Sequence, residues 1–219
     1  MINVADLIEE STFSSNYFAA DVYATGDFES GLIENRQGTR LLALPETLIK
    51  GLHTALQSEV GSAAGIVLFN CGSRWGKNFY RRFAEEVSNY YQRSLDQLEM
   101  VQLLECLKQC WKTHGWGKIN LNCEYYQQGF LVVELQNSPF ANSIIAEDRP
   151  SCFMEAGLLA AFFSELSGTS LHCIQTSCES LGAKSNLFIL GLAARLNPAE
   201  AMVKDQKSHT IILQRLVNN

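Results

Sequence analysis

The sequence predicts an α+β fold in which helices cover an antiparallel sheet of about four strands. Two observations support this prediction. Apolar residues recur every three or four positions through much of residues 45–115, which is the period of an amphipathic helix. The period then changes to two, and four short apolar segments follow in two pairs, each pair joined by a short turn. Short hairpins make antiparallel neighbours, and the apolar face of such a sheet needs helices to cover it.

The beginning of the chain predicts an N-terminal arm or cap. Residues 1–38 are polar and aromatic and carry three glycines, so we expect little regular structure there beyond a short helix over Val4–Glu10. The rest of the chain, residues 39–219, predicts a single domain, because it contains neither an internal repeat nor a low-complexity linker.

A helix and a strand are predicted next. The helix begins at Pro45, a residue that the first helical turn tolerates, and ends at Gly61. Leu48 and Leu52 recur in it at helical spacing. The following segment, AGIVLFNCG at residues 64–72, is a short apolar run between glycines, which predicts a buried strand.

Two amphipathic helices are predicted after that strand. The first covers RWGKNFYRRFAEEVSNYYQR, in which one stripe is apolar and the opposite face is charged. The apolar stripe consists of Trp75, Phe79, Phe83, Val87 and Tyr91. The second helix begins near Leu95 and is predicted to stop at Gly115.

The change of period marks the first hairpin. Ile119 and Leu121 alternate strictly with polar neighbours, and YQQG turns the chain back into a second strand over Phe130–Gln136. The segment PSCFMEAGLLAAFFSELSG is apolar nearly all round, which predicts a buried helix ending at Gly168.

A second hairpin is predicted from Leu171–Cys178 and Asn186–Leu192, with its turn near Gly182. The tail over Asn197–Asn219 predicts one short helix and one terminal strand.

Composition narrows the class of function. The chain is 47% hydrophobic and 18% charged, as in ordinary globular proteins, and its net charge of -6 argues against nucleic-acid binding. The N-terminus carries acids where a secretory signal carries basic residues, and the apolar run AGLLAAFF is far shorter than the ~20 residues of a membrane span. Seven cysteines without the spacing of a disulfide scaffold predict mainly reduced thiols. We therefore expect a cytoplasmic protein with at most peripheral membrane contact.

Enzyme motifs are missing from the sequence. GSAAGI is not a nucleophile elbow, GSRWGK lacks the spacing of a phosphate-binding loop, and no GxGxxG follows a predicted strand. A reductase needs a hydride source, and the sequence shows no nicotinamide or flavin fingerprint. We expect a protein that binds rather than catalyses.

Three segments of the C-terminal half carry a family resemblance: HGWGKINL, VELQNSPFA and RPSCFMEAGLLAAFFSELSGTSLHCIQTSCESLGAKSNLFIL. Together they resemble the 4-vinyl reductase (V4R) domain family over roughly Pro45–Leu192, and the chain is most similar to cyanobacterial members linked to photosystem II assembly. The resemblance implies a fold like that of subunits of trafficking (TRAPP) particles, a homodimer, and an apolar cavity.

The resemblance also implies a function. We expect a non-catalytic protein that binds a hydrophobic small molecule such as a tetrapyrrole or chlorophyll precursor. It would act in photosystem II assembly or pigment delivery near the thylakoid surface, with photosystem II assembly intermediates as partners. Two alternatives stay open: a protein–protein scaffold with a vestigial pocket, and an accessory to pigment vinyl reduction.

Phenol-sensing members of the family hold a zinc ion, and this chain resembles their site in part. Cys152 and Cys178 match two cysteine ligands, whereas Gln175 stands at the glutamate position and Asn186 at the third cysteine position. A closed zinc site needs more charged ligands than two thiolates, so we expect the zinc site to be lost. The family brings Cys152 and Cys178 together, and a disulfide between them stays open. Cys173 lies five residues before Cys178, so on one regular strand the two would face opposite ways.

Four residues are candidates for contact with a ligand: Trp75, Phe79, His114 and Trp116. His114 and Trp116 flank a predicted helix-to-strand turn, where an imidazole and an indole can meet a planar ligand. An aromatic stripe at helical spacing is more often core, and so is a buried tryptophan at a turn. Cys106 and Cys110 lie four apart on a helix, but no third ligand accompanies them, which favours packing over metal binding.

Overall fold

The computed structural model describes residues 16–142, 150 and 152–218, and these form two compact units. The first unit combines the chain up to Leu44 with Arg81–Trp116. The second unit combines Pro45–Tyr80 with Gly117–Asn219. The predicted arm and single domain stay predictions, because groups of contacts do not test which segments fold independently.

The N-terminal part of the first unit contains a small sheet. Its elements are α1 (Ala20–Tyr23), β1 (Ala24–Asp27), β2 (Leu32–Asn35) and β3 (Arg40–Leu41). The three strands pair antiparallel in the order β1-β2-β3. Strands of two to four residues are too short to show an alternating pattern in sequence, which is why this sheet was not predicted. The helix predicted over Val4–Glu10 lies outside the described residues.

The predicted strand at residues 64–72 is wrong. After α2 (Glu46–Val60), which confirms the helix predicted between Pro45 and Gly61, a single helix α3 runs over Ala64–Tyr91. A short apolar run fits a buried helix segment as well as a buried strand. Gly72, at the end of the predicted strand, has a packing role, since a Cβ there would lie 1.9 Å from the carbonyl oxygen of Met154.

The two predicted amphipathic helices are confirmed. Residues 74–91 form the remainder of α3, and the second helix is α4, Met100–Thr113. Gly115 follows α4 with a φ of 70°, a conformation that favours glycine at the end of a helix. The buried face of α4 consists of Leu103, Leu104, Cys106, Leu107, Cys110 and Trp111.

The second unit contains the predicted four-stranded sheet, which confirms the α+β fold class. Its strands are β4 (Lys118–Asn122), β5 (Leu131–Gln136), β6 (His172–Ser177) and β7 (Asn186–Gly191). They pair in the order β4-β5-β7-β6, and every pair is antiparallel. Both predicted hairpins are therefore present.

Helices pack on both faces of this sheet. A short helix α5 (Pro139–Asn142) precedes α6 (Phe153–Ser167), in which every residue from Glu155 to Phe163 is buried. The buried helix ending at Gly168 is thus confirmed. On β6, Gln175 faces the start of α6, because its side chain bonds to Cys152, and Ile174 faces the opposite way.

The predicted terminal strand is wrong. The tail forms two helices, α7 (Ala193–Lys204) and α8 (His209–Val217). Ile212, Leu213 and Leu216 recur at helical spacing and are buried against Ile174 and other sheet residues. The β-branched residues of the tail also suit a strand, so the packing of these three side chains against the sheet decides that the tail is helical. No helix in the described part of the chain combines the length and the apolar character needed to cross a membrane.

Candidate functional site

The second unit contains a cleft of about 440 Å³. The first half of α3, the C-terminal half of α6 and the segment from Gly168 to the start of β6 enclose it. Its lining residues are Phe69, Ser73, Lys77, Ala160, Ala161, Ser164, Glu165, Gly168, Thr169, Ser170, Leu171 and His172.

Local structure explains why a cleft forms at this point. Ala160 and Ala161 are buried but have small side chains, which leaves room beside Phe69. Gly168 ends α6 with a φ of 65°. The Ser164 hydroxyl donates to the carbonyl of Ala160 at 2.6 Å and accepts the Leu171 amide at 2.9 Å. The segment that leads into β6 is therefore held against the last turns of α6.

One aromatic pair and two charged side chains give the cleft its chemistry. The rings of Phe69 and His172 lie 5.1 Å apart between centroids. Burial lowers the pKa of His172, with a smaller opposing effect from Glu200, so its imidazole is neutral at pH 7. A neutral imidazole can bind a metal ion. Lys77 and Glu165 supply one charge of each sign at the polar rim.

The four sequence-predicted ligand residues do not line this cleft. In the second unit, the Trp75 ring lies tilted against the Phe140 ring at 5.7 Å between centroids, and the Phe79 ring packs on Phe162 at 5.2 Å. Phe79 is buried. These contacts are typical of core packing, and the role of Trp75 and Phe79 in ligand binding stays a prediction.

His114 and Trp116 lie in the first unit, inside a cluster of aromatic side chains. Their rings are 4.7 Å apart, and the Tyr23 ring lies 5.1 Å from His114. The Nδ1 of His114 donates to the Cys110 carbonyl at 2.8 Å, which leaves Nε2 to accept the Tyr23 hydroxyl at 3.3 Å. Burial lowers the pKa of His114 to about 4. Binding of a ligand by His114 and Trp116 stays a prediction.

The same unit buries a carboxylate. Glu86 is 1% exposed, and its Oε1 accepts the Asn35 side-chain amide at 2.6 Å. Arg82 Nε lies 3.7 Å from that oxygen. Burial raises the pKa of Glu86, whereas Arg82 and Asn35 lower it. This network ties β2 to the end of α3 within the first unit.

Cys106 and Cys110 lie on the buried face of α4. The Cys106 thiol donates to the Tyr91 hydroxyl at 3.6 Å, and burial raises its pKa to about 11. Burial also raises the pKa of Cys110. Buried, protonated thiols are typical of packing rather than of metal binding.

The four positions of the family zinc site lie together in the second unit. The sulfurs of Cys152 and Cys178 are 3.7 Å apart. The Gln175 amide donates to the Cys152 sulfur at 3.2 Å and to the Asn186 side-chain oxygen at 3.3 Å. The alternation argument about Cys173 does not apply, because β6 ends at Ser177 and its register shifts between Gln175 and Ser177.

These four residues do not fit a zinc ion. Zinc sites use thiolates, imidazoles and carboxylates, whereas here the Gln175 amide directs an N–H group at a sulfur. Within residues 16–142, 150 and 152–218, no group of three or more His, Cys, Asp or Glu side chains is placed to hold a metal ion. The loss of zinc stays a prediction.

A buried glutamate next to this cluster was not predicted from the sequence. Glu155 is 1% exposed on α6, and its Oε1 accepts the Ser138 hydroxyl at 2.8 Å, while Oε2 has no hydrogen-bond partner. Burial raises the pKa of Glu155 to about 8, against a smaller lowering by Ser138. An acid next to the apolar run of a helix that is predicted to be buried is a sequence signal that could have identified it. Phe69, Lys77 and His172 of the cleft gave no such signal.

Residues 131–192 match the model of the V4R domain, which confirms the predicted resemblance for the segment from β5 to the end of β7. A comparison with curated proteins found no match. The structure is similar to the phenol-responsive sensory domain of the transcription activator PoxR with phenol. The TM-score is 0.66 at 13% identity, covering 90% of this chain and 98% of that domain, so the two share a fold.

Two further structures are similar over a smaller part of this chain. One is a vinyl-4-reductase family protein from Methanocaldococcus jannaschii, with a TM-score of 0.46, 16% identity, and coverage of 68% of this chain and 82% of that one. The other is a trafficking protein particle complex subunit 3 from Naegleria fowleri covalently bound to palmitic acid. Its TM-score is 0.48 at 14% identity, covering 68% of this chain and 96% of that one.

Proposed function

We propose that this chain binds a small hydrophobic molecule carrying a polar group in the cleft of the second unit. The observation that carries the proposal is the cleft itself, with Phe69, Ala160 and Ala161 inside a rim that holds Lys77 and a neutral His172. Its volume of about 440 Å³ suits a small ligand. The cleft combines these apolar side chains with a larger number of polar ones, and polar groups in a ligand pocket fix the orientation of the ligand.

The comparisons support binding of this general kind. The V4R match covers α6 and β6, and both elements line the cleft. The sensory domain that shares the fold is phenol-responsive, and its structure was solved with phenol. A common fold does not determine the ligand, so the chemistry of the cleft has to select it.

Within that class we favour a tetrapyrrole, such as a chlorophyll precursor. The neutral His172 imidazole would bind the central metal ion, the Phe69 ring would contact the macrocycle, and Lys77 would meet a peripheral carboxylate. The protein would then deliver pigment or assist photosystem II assembly at the thylakoid surface, with assembly intermediates as partners.

We also propose that a second copy of the chain covers α2. Within the described chain, α2 is a helix without a buried residue, although Leu48 and Leu52 belong to an apolar stripe. In an antiparallel self-pairing, Leu48 of one copy would lie near the Glu59–Val60 end of the helix in the other copy, and the leucines would be buried between the two helices. The same stripe favours the alternative of a protein–protein scaffold.

Titration of the protein with magnesium protoporphyrin, followed by absorbance, tests the proposed ligand. We expect a saturable shift of the main absorption band. Replacement His172→Ala should weaken binding by about tenfold, because a lost ligand lowers metal affinity by about that factor or more. His53→Ala is the matched control, since His53 lies on α2 outside the cleft.

Phenol serves as a second probe in the same experiment. If phenol binds and the porphyrin does not, hydrophobic ligand binding stands and the tetrapyrrole assignment fails. If neither binds, or if His172→Ala and His53→Ala behave alike with the porphyrin, the proposed use of the cleft is contradicted.

A further inference from the structure

Two cysteines of the second unit lie close enough to form a disulfide. The sulfurs of Cys152 and Cys178 are 3.7 Å apart, and both thiols are free. A disulfide bond is about 2.05 Å long, so the sulfurs need to approach by roughly 1.7 Å. Cys152 precedes α6 as its N-cap residue, but its side chain makes no capping hydrogen bond there. Neither sulfur belongs to the ligand cleft.

The two thiols have different surroundings. The Cys178 sulfur also lies 3.0 Å from the hydroxyl of Ser180, which is exposed. Either sulfur can donate the hydrogen bond that joins the pair. Cys178 is therefore the sulfur of the pair that lies beside an exposed side chain.

The side chains at the other two family zinc positions, Gln175 and Asn186, hold this pair in place by hydrogen bonds. The Gln175 side chain accepts the Cys152 backbone amide at 2.8 Å and donates to the Cys152 sulfur. Asn186 connects Gln175 to the Glu179 carboxylate, which accepts the Asn186 amide at 2.7 Å. These bonds fix Cys152 opposite Cys178 without placing a charge between the sulfurs.

We infer that Cys152 and Cys178 form a redox site in which hydrogen peroxide converts the two thiols into a disulfide. Both sulfurs are buried, so the oxidant has to be small, and the exposed Ser180 marks its entry beside Cys178. The disulfide would join the start of α6 to the end of β6. The inference does not depend on the proposed ligand.

The reaction balances in two steps. The Cys178 thiolate attacks one oxygen of the peroxide, the O–O bond breaks, and the leaving hydroxide takes up a proton to become water, which leaves a sulfenic acid on Cys178. The Cys152 sulfur then attacks the Cys178 sulfur, and the sulfenic hydroxyl leaves as water with the Cys152 proton. Two thiols lose two electrons and two protons in total, and one peroxide becomes two waters.

Mass spectrometry of the full chain tests the inference. The reduced protein is treated with stoichiometric peroxide, unfolded in an alkylating agent and digested. We expect a peptide pair linked through Cys152 and Cys178 that disappears after treatment with dithiothreitol. In Cys152→Ser, Cys178 should stop at the sulfenic acid, which dimedone traps. Cys173→Ser is the matched control. Cys173 lies on β6 and is buried like Cys152 and Cys178, and its loss should leave the disulfide between those two residues intact.

Three results would overturn the inference. In the first, Cys152 and Cys178 still react fully with the alkylating agent on unfolding, which shows that they are reduced, although the exposed Cys71 and Cys123 have been oxidised. In the second, Cys173→Ser abolishes the link. In the third, one equivalent of zinc added to the reduced protein protects both thiols from peroxide, which would show that the positions still hold a metal ion.

Discussion

Gly157 of α6 lies directly against the backbone carbonyl of Phe69 in α3, so that a Cβ on Gly157 would fall 2.1 Å from that oxygen. The contact is reciprocal, since a Cβ on Gly76 of α3 would fall 2.5 Å from the carbonyl oxygen of Leu158. Real Cβ contacts of this length do not occur, so the two helices can approach this closely only with glycine at these positions. The contact also places Phe69 beside the α6 residues of the cleft.

Replacement Gly157→Ala should therefore destabilise the protein. We expect a loss of roughly 2–4 kcal/mol in the free energy of unfolding, because overpacking against backbone forces the helices apart. Urea denaturation measures this change. Gly51→Ala on α2 is the control, since a Cβ there meets no atom within 4 Å and should stabilise the helix by about 0.5–1 kcal/mol. Equal stability of Gly157→Ala and wild type would contradict the close contact.

Glu155 should make stability fall as pH rises. Its pKa is raised from 4.5 to about 8, so its contribution is fully present below about pH 4.5 and is lost as pH rises through 8. At 1.36 kcal/mol per pKa unit, the loss in wild type is on the order of 5 kcal/mol. Glu155→Gln keeps the shape without the titration. Urea unfolding between about pH 5 and pH 9 should show the free energy of unfolding of the variant rising relative to that of wild type. The same pH dependence for both proteins would contradict the raised pKa.

The contribution of His114 to stability should have the opposite pH dependence. Its pKa is lowered from 6.5 to about 4, so the unfolded chain takes up a proton first, and stability is lost as pH falls from 6.5 through 4. Because the ring is partly exposed and solvent weakens the effect, we expect a loss of roughly 2–3 kcal/mol in the free energy of unfolding. NMR titration of the imidazole measures the pKa directly, and His114→Gln should lose this part of the acid sensitivity. A titration near 6.5 would show that His114 is not buried as described.

The proposed dimer makes a prediction about α2. Light scattering should give twice the 24.4 kDa of one chain for wild type, and Leu52→Glu should give the monomer, because it places a charge in the apolar stripe. Leu181→Glu changes an exposed leucine outside α2 and should leave the dimer intact. A monomeric wild type, or a dimeric Leu52→Glu variant, would contradict pairing through α2.

The sequence predicted the elements whose periodicity is undisturbed. The strict alternation around Ile119 and Leu121 and the apolar stripe around Phe79 and Phe83 each match one structure only. Residues 64–72 and the tail were predicted wrongly, because short apolar runs suit both a strand and a helix until tertiary contacts decide. The glycine contact between α3 and α6 is such a tertiary contact, and the sequence does not show it.

The candidate site was predictable only where a resemblance supplied it. The positions Cys152, Gln175, Cys178 and Asn186 were singled out as a group from the family pattern, and the structure places them together. His172 has no comparable signal, since it is the first residue of a strand and meets Phe69 from a distant helix. The cleft arises from two segments far apart in the chain, residues 69–77 and 160–172, and local patterns do not encode their approach.

The most direct test of the proposed binding is a crystal structure of the full chain grown with magnesium protoporphyrin. The account predicts that the macrocycle occupies the cleft between α3 and α6, against Phe69, with an imidazole nitrogen of His172 on the metal ion. Porphyrin bound instead against His114 and Trp116, or crystals that contain the saturated protein with an empty cleft, would contradict it.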